Sequence, residues 1–199
     1  MTSRGWPAPA KLNLFLHVIG RRPDGYHQLQ TIFHLIDLCD RLDFTVCPDG
    51  GVSRRANYTD VTPEEDLVMR AATALREETG CALGIEITVT KRLPVGGGLG
   101  GGSSDAATTL VALNRLWDLH LAPADLARIG LRLGADVPVF VRGHTAWGEG
   151  VGEILEPVTL DECWYLVIHP GVKVSTAAIF GAADLTRTTP AITIRDFLG

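Results

Sequence analysis

The sequence predicts an α+β protein, and three observations carry that expectation. Segments of alternating apolar residues are interleaved irregularly with helical patterns, which disfavours a doubly wound parallel sheet. Hydrophobic residues make up 46% and charged residues 21% of 199 positions, enough apolar matter for a substantial core and too much for a disordered chain. A strand pattern runs into a glycine-rich loop and then into a helical pattern between residues 85 and 117.

The elements follow in order. Residues 11–19 alternate, with Leu12, Leu14 and Leu16 on one side and Asn13, Phe15 and His17 on the other, which predicts a strand. Pro23-Asp24-Gly25 predicts a turn, because proline fixes φ and glycine admits positive φ. TIFHLIDL and RLDFTVCP read as two neighbouring strands. Thr62-Pro63-Glu64-Glu65 reads as a helix start, with Thr62 as N-cap, Pro63 at the first helical position and Glu65 closing a capping box. That helix runs through LVMRAATALREET to Gly80. Ile85, Ile87 and Val89 mark a strand. Ala106, Leu110, Leu113 and Trp117 recur at helical spacing, and ADLARIGLRL forms a second helix closing at Gly134. VPVFV and WYLVIH read as strands flanking a glycine-rich hairpin, GHTAWGEGVGE. Ser175-Thr176 caps a short helix, AAIFGAA. The last segment, AITIRDFLG, has the spacing of an element that is just beginning. A first domain is expected over 1–154 and the beginning of a second over 155–199, because about 45 residues are few for an independent core. Truncation of a longer protein is the simplest account.

Eighteen basic and 23 acidic residues give a net charge of −5, which argues against a nucleic-acid binder. No run reaches the roughly 18 apolar residues of a membrane span, and the N-terminus is not a secretory signal. A cytoplasmic protein without a membrane partner is expected. Cys39, Cys47, Cys81 and Cys163 show no metal-ligand spacing and are expected as reduced, buried thiols. His17, His34, His120, His144 and His169 are dispersed and read as structural.

Six of the seven residues from Gly96 to Gly102 are glycine, and Ser103-Ser104 then open a helix. Such a loop folds tightly and turns successive N–H groups toward an anion, and the helix N-terminus adds unpaired donors. A phosphate site results, with the serine hydroxyls as ligands for phosphate or magnesium. The bland alternative is a mobile hinge. A P-loop would need a lysine after the glycines, and none follows. Gly96-x-Gly98-x-x-Gly101 satisfies the dinucleotide pattern, but the acidic residue ending a second strand about 20 positions on is missing. There is no His-Arg-Asp or Asp-Phe-Gly of a protein kinase.

The segment Pro94, Val95, Gly96, Gly97, Gly98, Leu99, Gly100, Gly101, Gly102, Ser103, Ser104 resembles, in expanded form, the phosphate loop of the GHMP small-molecule kinases. Pro9-Ala10-Lys11-Leu12-Asn13-Leu14 resembles that family's opening motif. Arg22-Pro23-Asp24-Gly25-Tyr26-His27, followed by Leu29-Gln30-Thr31, is similar to the substrate-side signature of one member, and Leu133-Gly134-Ala135-Asp136-Val137-Pro138 to its catalytic-aspartate segment. The resemblance implies a two-domain kinase using ATP and Mg2+ to phosphorylate the 2-hydroxyl of a cytidine-diphosphate-linked polyol in isoprenoid precursor synthesis. No metal ligand or oligomeric state is implied. The resemblance casts Asp136 as general base, where a structural turn aspartate is the alternative. Lys11 would hold Asp136 ionised, lower the substrate hydroxyl pKa, or neutralise phosphate oxygens; an exposed strand-edge lysine is its alternative. Asn13 would bind the polyol. Tyr26 would stack on the cytosine and His27 hydrogen-bond it, with Phe180 as the opposite slice. Lys91 would lie near the adenine or phosphates, or simply in solvent. The family's second glycine-rich motif, near its C-terminus, is not in this sequence. Another GHMP kinase, or a nucleotide-binding chain without turnover, are the competing readings.

Overall fold

A computed structural model describes residues 1–56, 61–62, 64–172 and 175–198. Its fold is α+β, as the interleaved patterns predict. Strands β1 (Thr2–Arg21) and β2 (His27–Cys47) form a long antiparallel hairpin, turned at residues 22–26 with Gly25 at φ 89°. Pro7 and Pro9 are tolerated in β1 because it pairs with β2 alone and lies at a sheet edge. TIFHLIDL and RLDFTVCP are therefore not two strands but one, bent where the pairing shifts between Pro9 and Ala10. The other edge of β2 is divided. Its C-terminal half pairs with β4 (Gly84–Thr90) and its N-terminal half with β5 (Ala146–Gly150). Strand β3 (Val52–Ala56) lies parallel to β4, and β6 (Ile154–Pro157) pairs with β5, so the hairpin's arms are β5, inside GHTAWGEGVGE, and the segment just after it, not the two flanking strands expected.

Helix α1 (Leu67–Thr79) ends at Gly80 in the left-handed conformation, as predicted. Its N-cap is Asp66, not Thr62: the Asp66 carboxylate accepts from the Val68 N–H at 2.8 Å. Thr62 instead closes a turn, its carbonyl accepting from the N–H groups of Glu65 and Asp66. Pro63 lies outside the described residues. Helix α2 (Gly101–Leu116) starts two residues before Ser103 and packs on α1 and on α4 (Val137–Arg142), and α4 in turn packs on α3 (Pro123–Leu131). VPVFV is thus helix, not strand. Pro138 sits in the first turn, Gly143 caps at φ 72°, and every residue from Val137 to Val141 is buried, so no periodicity distinguishes the two readings. Residues 158–170 hold no strand among the described residues, although the apolar run WYLVIH reads as one. Helices α5 (Thr176–Gly181) and α6 (Ile194–Leu198) complete the chain, α5 capped by Ser175 as predicted. The core joins one face of β2 and β4, through Phe44, Ile85 and Ile87, to Leu75, Leu110, Leu113 and Ile129 of the helices. Of the four cysteines, all unpaired, Cys39 is buried, Cys163 is exposed and the other two are half-buried. Among the described residues no helix is long and apolar enough to cross a membrane.

Candidate active site

The glycine loop runs from β4 to α2 along a cleft of about 1290 Å³. Gly96, Gly98 and Gly100 adopt φ of 75°, 74° and 73°, alternating with ordinary residues, which turns backbone N–H groups to one side. Close packing demands glycine as well. A Cβ at Gly100 would stand 2.8 Å from Phe140, and one at Gly97 3.0 Å from Pro94. Gly100 is the N-cap of α2 and supplies no side-chain acceptor, so the opening N–H groups of a 16-residue helix face the cleft without a side-chain cap. This cradle fits a phosphate. Ser103 lines the cleft, whereas Ser104 is fully buried and its Oγ has no hydrogen-bond partner.

Lys11 is buried, not an exposed edge lysine. Its N–H donates to the Leu99 carbonyl at 3.0 Å, tying β1 to the loop. Its ammonium donates to Asn13 Oδ1 at 2.5 Å, lies 3.5 Å from the Asp136 carboxylate and stands over the Phe33 ring. Asn13 in turn donates to Thr31 Oγ1 at 2.9 Å. Asp136 precedes α4 at the cleft wall, so the predicted element end holds although the element is a helix. The strand alternation needs one correction. The pairing shifts between Asn13 and Leu16, which moves Leu16 and Val18 onto the cleft wall beside Lys11 and Asn13. Phe15 instead packs on Trp147 and Phe197.

Lys91, at the start of the loop, is not in solvent. It bridges Asp40 of β2 and Asp105 of α2, the latter at 2.8 Å. Asp40 also accepts from the N–H groups of Arg92 and Leu93, at 2.5 and 2.8 Å. Burial pushes the Asp105 carboxyl up to about 7, with Lys91 opposing and Asp40 adding to the rise. Burial also works against charge on Lys91, but the two carboxylates outweigh it and raise its pKa.

The predicted base-binding residues do not all reach the cleft. Phe180 lines it, and the His27 imidazole lies against Phe180 with ring centroids 5.1 Å apart and planes 22° from parallel. Tyr26 is 65% exposed on the turn. The direct partner of Phe180 is therefore His27. Burial, then the charges of Arg187 and Arg21, lower the His27 pKa. His169 lines the cleft beside Gly97. Asp40, Asp105, Thr31 and Arg187 escape sequence reasoning, because each meets its partner across the fold. For Asp105 a signal existed: it stands in the first turn of the helix that the loop opens. No group of three or more His, Cys, Asp and Glu among the described residues forms a metal site.

The family of GHMP kinases N terminal domains matches residues 66–144. The 4-diphosphocytidyl-2-C-methyl-D-erythritol kinase of Alkalilimnicola ehrlichii is 60% identical over 192 residues, 96% of this chain and 66% of that protein. The protein of the same name from Ralstonia pickettii is also 60% identical, over 98% of this chain and 67% of its own. A crystal structure of 4-(cytidine 5'-diphospho)-2C-methyl-D-erythritol kinase superposes with a TM-score of 0.74 at 40% identity, covering 92% of this chain and 64% of that one. The L. major mevalonate kinase, at 15% identity and a TM-score of 0.62, shares the fold. The chain spans about two thirds of the length of the relatives it matches.

Proposed function

This chain belongs to the GHMP kinases, in their 4-diphosphocytidyl-2-C-methyl-D-erythritol kinase branch, and from that premise we propose that it transfers the γ-phosphoryl group of ATP to the 2-hydroxyl of that cytidine-diphosphate-linked alcohol. The single observation that carries the reading is the meeting of Lys11 and Asp136, 3.5 Å apart, at the mouth of the glycine cradle.

The roles follow from that placement. Residues 94–104, with Lys91 behind them, hold the nucleotide phosphates through backbone N–H groups and the start of α2. Magnesium would come with the nucleotide and would supply charge neutralisation at its phosphates, and no protein ligand is assigned to it. Asp136 takes the hydroxyl proton as the substrate oxygen bonds to the γ-phosphorus and the bond to the β-phosphate oxygen breaks, releasing ADP. A tertiary alcohol is a weak nucleophile, so proton removal and charge neutralisation must supply most of the help. Lys11, 3.5 Å from the Asp136 carboxylate, holds it in place and meets the charge on the transferring oxygens. Asn13, fixed by Lys11 and Thr31, hydrogen-bonds the polyol. Tyr26 and Phe180 offer stacking surfaces for the cytosine, and His27 a polar edge. Residues 1–154 form the nucleotide-binding domain and 155–199 belong to a second one.

ADP release with Mg2+, ATP and 4-diphosphocytidyl-2-C-methyl-D-erythritol tests the reading, with Asp136→Asn beside it. Turnover should fall at least about a hundredfold in the variant while ATP affinity is retained, the usual cost of losing a general base. Equal loss of ATP affinity would refute the role of Asp136. ATP bound without any ADP formed by the wild-type chain would favour a nucleotide-binding chain without turnover.

A further inference from the structure

Arg187 ties the end of α5 to the foot of β2. Its Nε–H donates to His27 Nε2 at 3.2 Å, and Nη1 donates to the Leu185 carbonyl at 3.0 Å. Nη2 donates to the carbonyls of Phe180 and Ala182 at 2.9 and 2.7 Å. One side chain thus seats Phe180 and grips the imidazole that Phe180 covers.

A guanidinium carries donors only and does not give up its proton. His27 Nε2 must therefore be the acceptor, and in a neutral imidazole the proton then sits on Nδ1. Burial, then the neighbouring charges of Arg187 and Arg21, disfavour the imidazolium in which both nitrogens would donate. With the Nε2 edge taken by Arg187 and one face by Phe180, Nδ1–H is the polar edge left for a ligand.

We propose that Arg187 is a positioning residue that locks His27 as its Nδ1–H tautomer and thereby selects cytosine over uracil, an assignment that rests on the cytidine-diphosphate reading of the cleft. Cytosine presents an acceptor at N3, whereas uracil presents N3–H there. A fixed N–H donor on the protein matches the first and leaves two donors opposed in the second, with neither hydrogen bond made. The opposite tautomer, with its lone pair on Nδ1, would accept from uracil instead.

The test combines long-range 15N–1H spectra of the histidine rings, His27 being assigned with His27→Gln, and calorimetric binding of CDP and UDP to wild type and Arg187→Met. The wild-type His27 should show the Nδ1–H pattern, and CDP should bind more tightly than UDP. In Arg187→Met the ring should shift toward Nε2–H and the CDP-to-UDP preference should shrink by about tenfold, with ATP affinity unchanged. A merely structural role for Arg187 would not move the tautomer. Wild-type His27 in the Nε2–H form overturns the proposal even where Arg187→Met fails to fold, and so does a variant with both tautomer and preference unchanged. Wild type that binds neither diphosphate would sink the substrate reading and base selection with it, while the ring spectra still judge the hold of Arg187 on His27.

Discussion

A methyl group at Gly100 would meet two obstacles at once. The backbone there has φ 73°, which L side chains rarely adopt, and the added Cβ would lie 2.8 Å from Phe140 and 3.1 Å from Lys11 Cγ. Either Phe140 shifts within a buried helix or Lys11 is displaced from Asn13 and Asp136. Gly98 has the same backbone conformation, φ 74°, but a Cβ there meets nothing within 4 Å. Gly98→Ala therefore costs only the left-handed strain, about 1–2 kcal/mol, and Gly100→Ala costs more. Urea denaturation of the two variants should rank them in that order, and Gly100→Ala should also weaken ATP binding by about tenfold or more through lost backbone approach. Equal stabilities, or an unchanged ATP affinity in Gly100→Ala, would contradict the packing of the loop described above.

Helix α1 is held at both ends, and its start was the less legible of the two. Asp66 caps the helix and also pairs with Arg54 of β3, so one carboxylate joins helix to sheet. Asp66→Ala should cost at least about 2 kcal/mol, ~1 from the cap and the remainder from a half-buried guanidinium losing this partner. Asp66→Asn retains a capping oxygen and should recover the first part only, which thermal unfolding of both variants will read. A sequence displays local chemistry, and so the Gly80 end, β4 and the capped α5 could be read from it. Thr62 was the more familiar cap in its context, but Asp66 won because Arg54, distant in sequence, reaches it. VPVFV misled because a helix buried all round has no period. The long β2 was divided in two because the bend that reaches both β4 and β5 comes from pairing, not from a turn residue. The site followed the same division. Lys11 and Asn13 share a face by alternation, and the glycines announce the loop, whereas Asp40 reaches Lys91 across 51 positions.

At the scale of the whole molecule, two groups near the cleft tie the stability of the fold to pH with opposite signs. The Asp105 carboxyl, raised from 3.8 to about 7, keeps a proton in the folded chain that the unfolded chain has released. Between roughly pH 4 and 7 the folded state binds more protons, so this contribution lowers stability as pH rises. The physical reason is local. Burial of the carboxyl comes first; Lys91 opposes it, and Asp40 on the same ammonium adds to the rise, so ionising Asp105 under the glycine loop is disfavoured. His27 acts the other way. Its pKa is lowered from 6.5, so near that value the unfolded chain takes up a proton that the folded chain refuses, and stability rises with pH. Lys91 stays out of this window, because its raised pKa means that its contribution is lost only as pH rises beyond the ordinary lysine value. Asp105→Asn deletes the first contribution while keeping an oxygen for Lys91 and nearly the same volume. Urea midpoints measured from pH 5 to pH 7.5 should therefore climb more steeply, or fall less, in the variant than in the wild type. Parallel profiles would mean that Asp105 ionises as freely in the fold as in the open chain, and that its burial beneath the loop is offset by some other group.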